Sequence, residues 1–139
     1  MAAVNAYLNF NGNCEEAFEF YRSVFAGNFT QILRYNEVEE NCFCDIYDSE
    51  KIIHIALPIG RDSMIMGSDL PAGMPMAISG SNICLAVSAV SESEATKFFL
   101  ALSHHGKILV PLEKAFWGAY FGMLRDKYGI RWMIDFEGQ

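Results

Sequence analysis

The sequence predicts an α+β fold made of two βαβββ repeats, and three observations carry this prediction. Two short stretches alternate apolar and polar residues, as half-buried strands do. An apolar stripe with helical spacing follows each of them. The second set repeats the first at an offset of about 77 residues, which places Leu8 over Leu85 and Phe20 over Phe98. With 139 residues, of which 52% are apolar, the chain is long enough for one domain with a sizeable core.

The first repeat begins with a strand over residues 4–10 and continues with a helix. The strand divides its side chains between two faces, Ala6, Leu8 and Phe10 on one and Asn5, Tyr7 and Asn9 on the other. Asn13 followed by Glu16 predicts a capped helix start. The helix then has apolar residues at i, i+3, i+4, i+7 and i+8, namely Ala17, Phe20, Tyr21, Val24 and Phe25. Gly27 predicts its end.

The second repeat has the same order of signals. Its strand over residues 82–87 alternates between Ile83, Leu85 and Val87 on one face and Asn82, Cys84 and Ala86 on the other. Ser91 and Glu94 form a capping box, and Gly106 predicts the helix end. The apolar stripe between them consists of Ala95, Phe98, Phe99 and Leu102.

Three strand-like stretches follow each helix. In the first half they lie near Thr30–Tyr35, Ile52–Pro58 and Ser63–Gly67, and in the second near Lys107–Leu112, Ala119–Leu124 and Arg131–Phe136. Residues 60–62 and 126–129 are typical of hairpin turns. Residues 1–139 are therefore expected to form a single domain, with repeat one over about 1–69, a linker over 70–81 and repeat two over about 82–139. The acidic stretch 37–41 is expected to be a solvated loop.

Charge and composition exclude several classes of partner. The formal net charge is -7, from 17 acidic and 10 basic residues, so neither nucleic acid nor an anionic lipid surface is an expected partner. No apolar run reaches the roughly 18 residues of a membrane helix, and the N-terminus lacks the features of a signal peptide. The cysteines, Cys14, Cys42, Cys44 and Cys84, have no zinc or CxxC spacing, which indicates reduced thiols and a cytoplasmic protein.

Three motifs resemble those of a known family. The first is Tyr7-Leu8-Asn9-Phe10-Asn11-Gly12-Asn13 followed by Glu16-Ala17-Phe18-x-Phe20-Tyr21. The second is His54 followed by Ile65-Met66-Gly67-Ser68-Asp69. The third is Phe116-Trp117-Gly118-x-x-Phe121-Gly122 followed by Asp126-Lys127-Tyr128-Gly129-Ile130-x-Trp132. Over nearly its whole length the chain resembles the vicinal oxygen chelate superfamily, which includes glyoxalase I, bleomycin-resistance proteins and extradiol dioxygenases. Within it the chain is most similar to the PhnB-like, or 3-demethylubiquinone methyltransferase-like, branch.

This resemblance implies the arrangement of the two repeats. They would form a curved, incompletely closed mixed sheet with the helices outside and a ligand or metal in the concave space. The polar faces of the two opening strands, which carry Asn5, Tyr7 and Asn9 in one repeat and Asn82 in the other, would line that space. The resemblance also implies a homodimer, which is the commonest oligomeric state in general.

Metal-dependent members of the superfamily take one ligand from each of four strands. The corresponding positions here are Asn5, Asn82, Met133 and either Ile65 or Met66. None of these residues supplies the imidazole or carboxylate that Zn²⁺, Ni²⁺, Mn²⁺ or Fe²⁺ prefers. We therefore expect no divalent metal and no other cofactor.

His54 and Trp117 are the side chains with the clearest alternatives to a packing role. His54 lies in mid-strand, on the face opposite Ile53, Ile55 and Leu57, where it is either a structural histidine or a catalytic acid/base in the cavity. Trp117 is either a core or dimer contact or an aromatic wall of a pocket. The complete set of expected ligand-binding residues is Asn5, Tyr7, Asn9, His54, Met66, Asn82, Trp117 and Met133.

Three hypotheses for the function remain open at this stage. In the first, the protein binds a small organic molecule in its cavity without metal, as bleomycin-resistance proteins do. In the second, it is an enzyme of lyase or oxidoreductase type that uses His54 as acid/base. In the third, it is a dimeric scaffold with a vestigial cavity. The expected partners are thus a small-molecule ligand and a second copy of the chain, with no nucleic acid and no membrane.

Overall fold

The computed structural model describes residues 2–37, 50–71 and 73–137. Most of the acidic stretch expected to be a solvated loop, residues 38–41, lies outside the described residues, as do Cys42 and Cys44. The chain divides into two compact units, residues 1–78 and 79–139. None of the helices in the described residues has both the length and the apolar character needed to cross a membrane.

Unit 1 is one βαβββ element. It contains β1 (Ala6–Phe10), α1 (Cys14–Phe25), β2 (Gln31–Arg34), β3 (Ile52–Ile59) and β4 (Ser63–Asp69), with a 3-10 helical turn at Tyr35–Glu37. The strand order in its sheet is β1-β4-β3-β2. β1 runs parallel to β4 and the other pairs are antiparallel, so the sheet is mixed.

Unit 2 has the same topology. It contains β5 (Leu85–Ser88), α2 (Glu92–Ser103), β6 (Lys107–Lys114), β7 (Tyr120–Arg125) and β8 (Arg131–Phe136). Its sheet has the order β5-β8-β7-β6, with β5 parallel to β8 and the other pairs antiparallel. The predicted α+β class and the repeated βαβββ order are therefore confirmed.

In unit 1, α1 covers one face of the sheet. Leu8 and Phe10 of β1 are buried, as the alternation predicts. The buried residues of α1 are Cys14, Ala17, Phe18, Tyr21 and Val24. Phe20 and Phe25 were expected in the buried stripe, but they are only half-buried, and Phe18 lies in the core instead. The buried face of α1 is therefore rotated about the helix axis relative to the predicted face.

In unit 2, α2 packs on the sheet through Ala95, Phe99 and Leu102. Trp132 is 1% exposed and lies in this core, as expected for a side chain beneath a helix. The opening strand begins at Leu85, three residues later than predicted. Ile83 was expected on the helix-packing face, but it precedes the strand and is 73% exposed.

The two helices begin in different ways. The Ser91 hydroxyl accepts a hydrogen bond from the Glu94 N–H at 3.1 Å, which confirms the capping box of α2. Asn13 makes no side-chain cap on α1, so the predicted cap is wrong there. The Asp69 carboxylate, at the end of β4, caps α1 instead, because its Oδ1 accepts from the N–H groups of Gly12 and Cys14, each at 2.9 Å. This cap comes from a residue distant in sequence.

Gly27 and Gly106 were predicted to end the two helices, but in the structure they allow close packing. The left-handed residues at the helix ends are Ala26 (φ 57°) and His105 (φ 60°), each one position earlier than expected. A Cβ at Gly106 would overlap the Arg125 carbonyl oxygen, and one at Gly27 would lie 3.1 Å from the carbonyl oxygen of Pro58. These two glycines let a chain segment approach a neighbouring strand, a requirement that the sequence alone does not show.

Candidate functional site

The face of the unit 1 sheet opposite α1, here called the open face, carries four of the eight expected ligand-binding residues, namely Tyr7, Asn9, His54 and Met66. Tyr7 is 42% exposed there, and Asn9 is also exposed, whereas Leu8 and Phe10 point toward α1. Asn5 is exposed and precedes the first residue of β1. The alternation of a half-buried strand therefore directs the polar side chains of β1 away from the core.

Cross-strand register brings further candidate residues to the same face. Tyr7 is paired with Met66, and Met66 is paired with Ala56 on the other side. Asn9 is paired with Ser68 in the next row, and His54 is paired with Leu33. Since directly opposite residues of neighbouring strands share a face, the open face has a polar rim on β1 and an apolar centre around Met66.

A hydrogen bond between Tyr7 and His54 is the most specific feature of this face. The Tyr7 hydroxyl lies 3.3 Å from His54 Nδ1, and the ring centroids are 5.7 Å apart with an interplanar angle of 32°. The two residues are on β1 and β3, which are separated by β4, so their side chains meet above the middle strand. Among the described residues, His54 Nε2 has no hydrogen-bond partner. An imidazole held at one nitrogen keeps the other for a ligand or a proton.

The other three candidate residues belong to unit 2. Met133 on β8 is half-buried and pairs with Ala86 and Met123. Asn82 is exposed and precedes β5. Trp117 lies in the connection between β6 and β7 and is 57% exposed.

Trp117 is part of an aromatic group in unit 2. Its ring lies 5.0 Å from that of Phe116 in an edge-to-face arrangement, and 5.6 Å from that of Phe121. These spacings are typical of favourable aromatic pairs. Trp117 therefore has packing partners, while much of its surface remains available for a further contact.

The donor groups at the metal positions of the superfamily do not suit a divalent metal. Asn5 and Asn82 offer neutral amides and Met133 offers a thioether, while the fourth position holds either Ile65, which has no donor atom, or the thioether of Met66. Within residues 2–37, 50–71 and 73–137, no three His, Cys, Asp or Glu side chains lie together as a metal centre would need. These residues do not fit Zn²⁺ or a similar ion.

Two buried aspartates in the recognised motifs have structural roles that sequence reasoning missed or understated. Asp69 is 1% exposed, and besides capping α1 it accepts the Ile52 N–H at 3.0 Å. Asp126 accepts from the N–H groups of Tyr128 and Ile130 and from Trp132 Nε1. Each carboxylate thus connects segments of backbone, which is a reason for aspartate to stand there without any catalytic role.

Cys14 is excluded as a nucleophile by its surroundings. Burial raises the pKa of its thiol strongly, and the negative charges of Asp69 and Glu15 raise that pKa further. Because the reactive form of cysteine is the thiolate, this thiol is inert near neutral pH.

The connections that lead from a strand into a helix are short and poor in glycine. They comprise residues 11–13 and 89–91, and Gly12 is the one glycine in the two. Glycine-rich connections of this type often hold nucleotide-like cofactors, because a backbone without side chains can approach them closely. Neither connection offers such a site.

Comparisons with known proteins give the family and confirm the resemblance expected from the sequence. Residues 2–135 match the model of a family described as 3-demethylubiquinone-9 3-methyltransferase. The solved structure of protein PA1353 from Pseudomonas aeruginosa is 31% identical and superposes with a TM-score of 0.87 over 100% of both chains. A putative 3-demethylubiquinone-9 3-methyltransferase, PhnB protein, from Bacillus cereus is 28% identical, with a TM-score of 0.78 over 97% of this chain and 99% of that one.

A third structure extends the likeness in fold to the wider superfamily. It is a glyoxalase/bleomycin resistance protein/dioxygenase family enzyme from Burkholderia phytofirmans PsJN. It is 16% identical, with a TM-score of 0.63 over 97% of this chain and 100% of that one. At this identity the comparison concerns the fold alone.

Proposed function

We propose that this chain, which belongs to the 3-demethylubiquinone-9 3-methyltransferase family, binds a small organic molecule on the open face of unit 1 without a divalent metal. The ligand has an apolar or aromatic body and at least one group that forms hydrogen bonds. The body contacts Met66 and the Tyr7 ring, and the polar group binds to His54 or Asn9.

The hydrogen bond between Tyr7 and His54 is the observation that carries this proposal. It fixes two aromatic side chains with polar atoms at one place above β4, while Tyr7 stays 42% exposed. Small-molecule sites typically combine an apolar lining with a few positioned polar groups. Met66, paired with Tyr7, supplies an adaptable apolar surface beside them.

The chemistry of the available donors supports binding without metal. The superfamily's ligand positions, Asn5, Asn82, Met133 and either Ile65 or Met66, hold no imidazole or carboxylate for the ions used by its metalloenzymes. Recognition on this face would then depend on hydrogen bonds and apolar contact.

A fragment titration followed by two-dimensional NMR tests the proposal. The probe is a panel of small aromatic compounds that carry a carboxamide, hydroxyl or carboxylate group. We expect some of them to shift the amide signals of β1, β3 and β4, and His54→Ala to weaken those shifts. Met74→Ala serves as the control, because Met74 is an exposed methionine of the same unit that does not lie on its sheet. Shifts scattered over both units, or equally strong in His54→Ala, would contradict a site on the open face.

Acid/base catalysis by His54 is the second candidate function. For His54 Nε2 to act as a general base, Nδ1 must carry the proton and donate to the Tyr7 hydroxyl oxygen; Nε2, which has no partner among the described residues, is then available to accept a proton. If a ligand from the titration is converted to a product, His54→Ala should abolish turnover, and Tyr7→Phe should reduce it by disturbing the orientation of the ring. If a ligand binds but is not converted, the result supports the binding function and contradicts acid/base catalysis by His54.

We further propose that the protein is a homodimer in the cytoplasm. Large apolar side chains are exposed in both units, among them Val4 and Ile78 in unit 1 and Ile83 and Phe116 in unit 2. Exposed apolar surface of this kind is typical of protein interfaces. The two cysteines in the described part of the chain, Cys14 and Cys84, are both free thiols, which suits a reducing compartment. If neither a ligand nor a reaction is found, the dimer itself, as a scaffold, becomes the favoured function.

A further inference from the structure

Unit 2 contains a polar cavity of about 470 Å³ at one end of its sheet. It lies where the end of α2, the start of β6 and the turn between β7 and β8 meet. Four of its lining residues carry basic side chains, namely His105, Lys107, Arg125 and Lys127. We propose that this cavity binds the phosphate group of a small organic phosphate.

The strand register places three cations in one row at this end of the sheet. Lys107 on β6 pairs with Arg125 on β7, and Arg125 pairs with Arg131 on β8. Directly opposite residues share a face, and like charges in such pairs destabilise the sheet. A bound dianion would relieve this repulsion. A phosphate suits the row, because guanidinium groups can donate two parallel hydrogen bonds to it.

Within the part of the chain that the structure describes, no carboxylate forms an ion pair with Lys107, Arg125 or Arg131. Arg131 donates to the carbonyl oxygen of Gly80 at 3.1 Å, which leaves most of its donors available. Neighbouring cations without a counter-charge attract an anion, so a mobile anion would complete the arrangement.

Asp126 is the carboxylate in the lining, and its hydrogen bonds direct it into the protein. Its Oδ1 accepts from the N–H groups of Tyr128 and Ile130, and its Oδ2 accepts from Trp132 Nε1 at 2.9 Å. The C-terminus of α2, which carries a partial negative charge, also lies nearby, but the Ser103 carbonyl there already accepts from the Gly106 N–H. Among the described residues, neither feature forms an ion pair with Lys107 or Arg125.

The net charge of the protein and the volume of the cavity together favour one kind of anion. A net charge of -7 repels a long polyanion such as nucleic acid, whereas a single phosphate interacts mainly with the local cluster. The cavity volume falls within the range of about 300–1,000 Å³ that is common for small-molecule sites, so a modest organic group fits beside the phosphate. The expected ligand is therefore a small phosphate monoester.

Calorimetric titration with inorganic phosphate and with phenyl phosphate tests this inference, with chloride holding the ionic strength constant. We expect one equivalent of each to bind, and phenyl phosphate to bind more tightly. Arg125→Gln should weaken binding by roughly tenfold or more, as expected for loss of a charge-assisted pair. Arg61→Gln is the matched control, because it removes the same charge from an exposed turn of unit 1 and should leave the affinity unchanged.

Two further results bear on the proposal. Lys107→Gln should also weaken binding, and it replaces Arg125→Gln if that variant fails to fold. His54→Ala should bind phosphate as the unmodified protein does, which separates this site from the one proposed in unit 1. No saturable binding by either probe, or equal weakening by Arg125→Gln and Arg61→Gln, would overturn the proposal. Tighter binding of inorganic phosphate than of phenyl phosphate would overturn the organic part of it.

Discussion

Asp69 shows how one residue can hold several segments of a small unit together. Its two carboxylate oxygens accept N–H groups of Gly12, Cys14 and Ile52, so it connects the start of α1 to the start of β3. Its own carbonyl oxygen accepts the Tyr35 hydroxyl at 2.8 Å. The family-like motif that ends at Asp69 therefore includes a residue whose hydrogen bonds are structural.

We expect Asp69→Ala to be strongly destabilising. The change leaves two buried N–H groups and one part-buried N–H group without an acceptor, and it should lower the free energy of unfolding by about 3 kcal/mol. Urea unfolding followed by circular dichroism measures this loss. Asp62→Ala, in the exposed β3–β4 turn, is the control and should change stability by less than about 0.5 kcal/mol. Equal effects of the two substitutions would refute the bridging role.

Glu15 and Arg34 form a pH-dependent contact between α1 and β2. Arg34 Nη2 lies 2.8 Å from Glu15 Oε2, and this hydrogen bond lowers the pKa of Glu15, with the Arg34 charge adding to the effect. A carboxyl whose folded pKa is lowered stabilises the protein above its unfolded pKa of about 4.3, and the contribution is lost as the pH falls through the folded pKa.

Glu15→Gln should therefore cost more stability at pH 7 than at pH 3. Because the Glu15 side chain is 51% exposed, solvent screening limits the difference to at most about 1 kcal/mol. Unfolding curves at the two pH values measure it. Glu92 also lies in the first turn of its helix, and among the described residues it forms no ion pair with an arginine, so Glu92→Gln should show a smaller change with pH. A pH dependence of the same size in both variants would assign the effect to the helix dipole.

At the scale of secondary-structure elements, the features that depend on local periodicity can be predicted from the sequence. The alternation of Leu8 and Phe10 with Tyr7 and Asn9 gives β1 and its buried face correctly, and Arg131–Phe136 is found as a strand with the predicted bounds. The Ser91 and Glu94 box is also local, and it forms. Elements whose signals lie within a few residues are thus predictable from the chain alone.

Features that depend on contacts between distant segments are missed. The cap of α1 comes from Asp69, 55 residues after Cys14, and no local pattern indicates it. The meeting of Tyr7 and His54 requires the order β1-β4-β3, which periodicity does not give. Likewise the basic row of unit 2 arises from the pairing of β6, β7 and β8, although its residues are far apart in sequence.

Gly106 tests the role of close packing at an element boundary. A Cβ there would collide with the backbone at Arg125 and Asp126, which a side-chain rotation cannot relieve. We expect Gly106→Ala to lower the free energy of unfolding by about 1–3 kcal/mol, measured by urea titration. Gly73→Ala, where a Cβ meets open space, is the matched control and should have little effect. A neutral Gly106→Ala would mean that β6 can shift away from β7 at no cost.

At the scale of the whole molecule, the proposed homodimer would cover exposed apolar side chains. Phe116 is 98% exposed, which is unusual for so large an apolar side chain, and Trp117 beside it is also exposed. Light scattering after size-exclusion chromatography should give twice the mass of one chain. If Phe116 and Trp117 lie in the interface, Phe116→Ser should shift the measured mass toward that of the monomer, whereas Arg61→Gln should not. A monomeric mass at every concentration tested would contradict the dimer.

We propose that the open face of unit 1 binds an organic ligand without the metal that the superfamily's enzymes use. Titration of the metal-free protein with Ni²⁺, Mn²⁺, Zn²⁺ and Fe²⁺, followed by calorimetry, tests this proposal most directly. Asn5, Asn82, Met133 and either Ile65 or Met66 supply no imidazole or carboxylate, so we expect no stoichiometric binding of any of these ions. Tight binding of one equivalent of any of them would contradict the proposal.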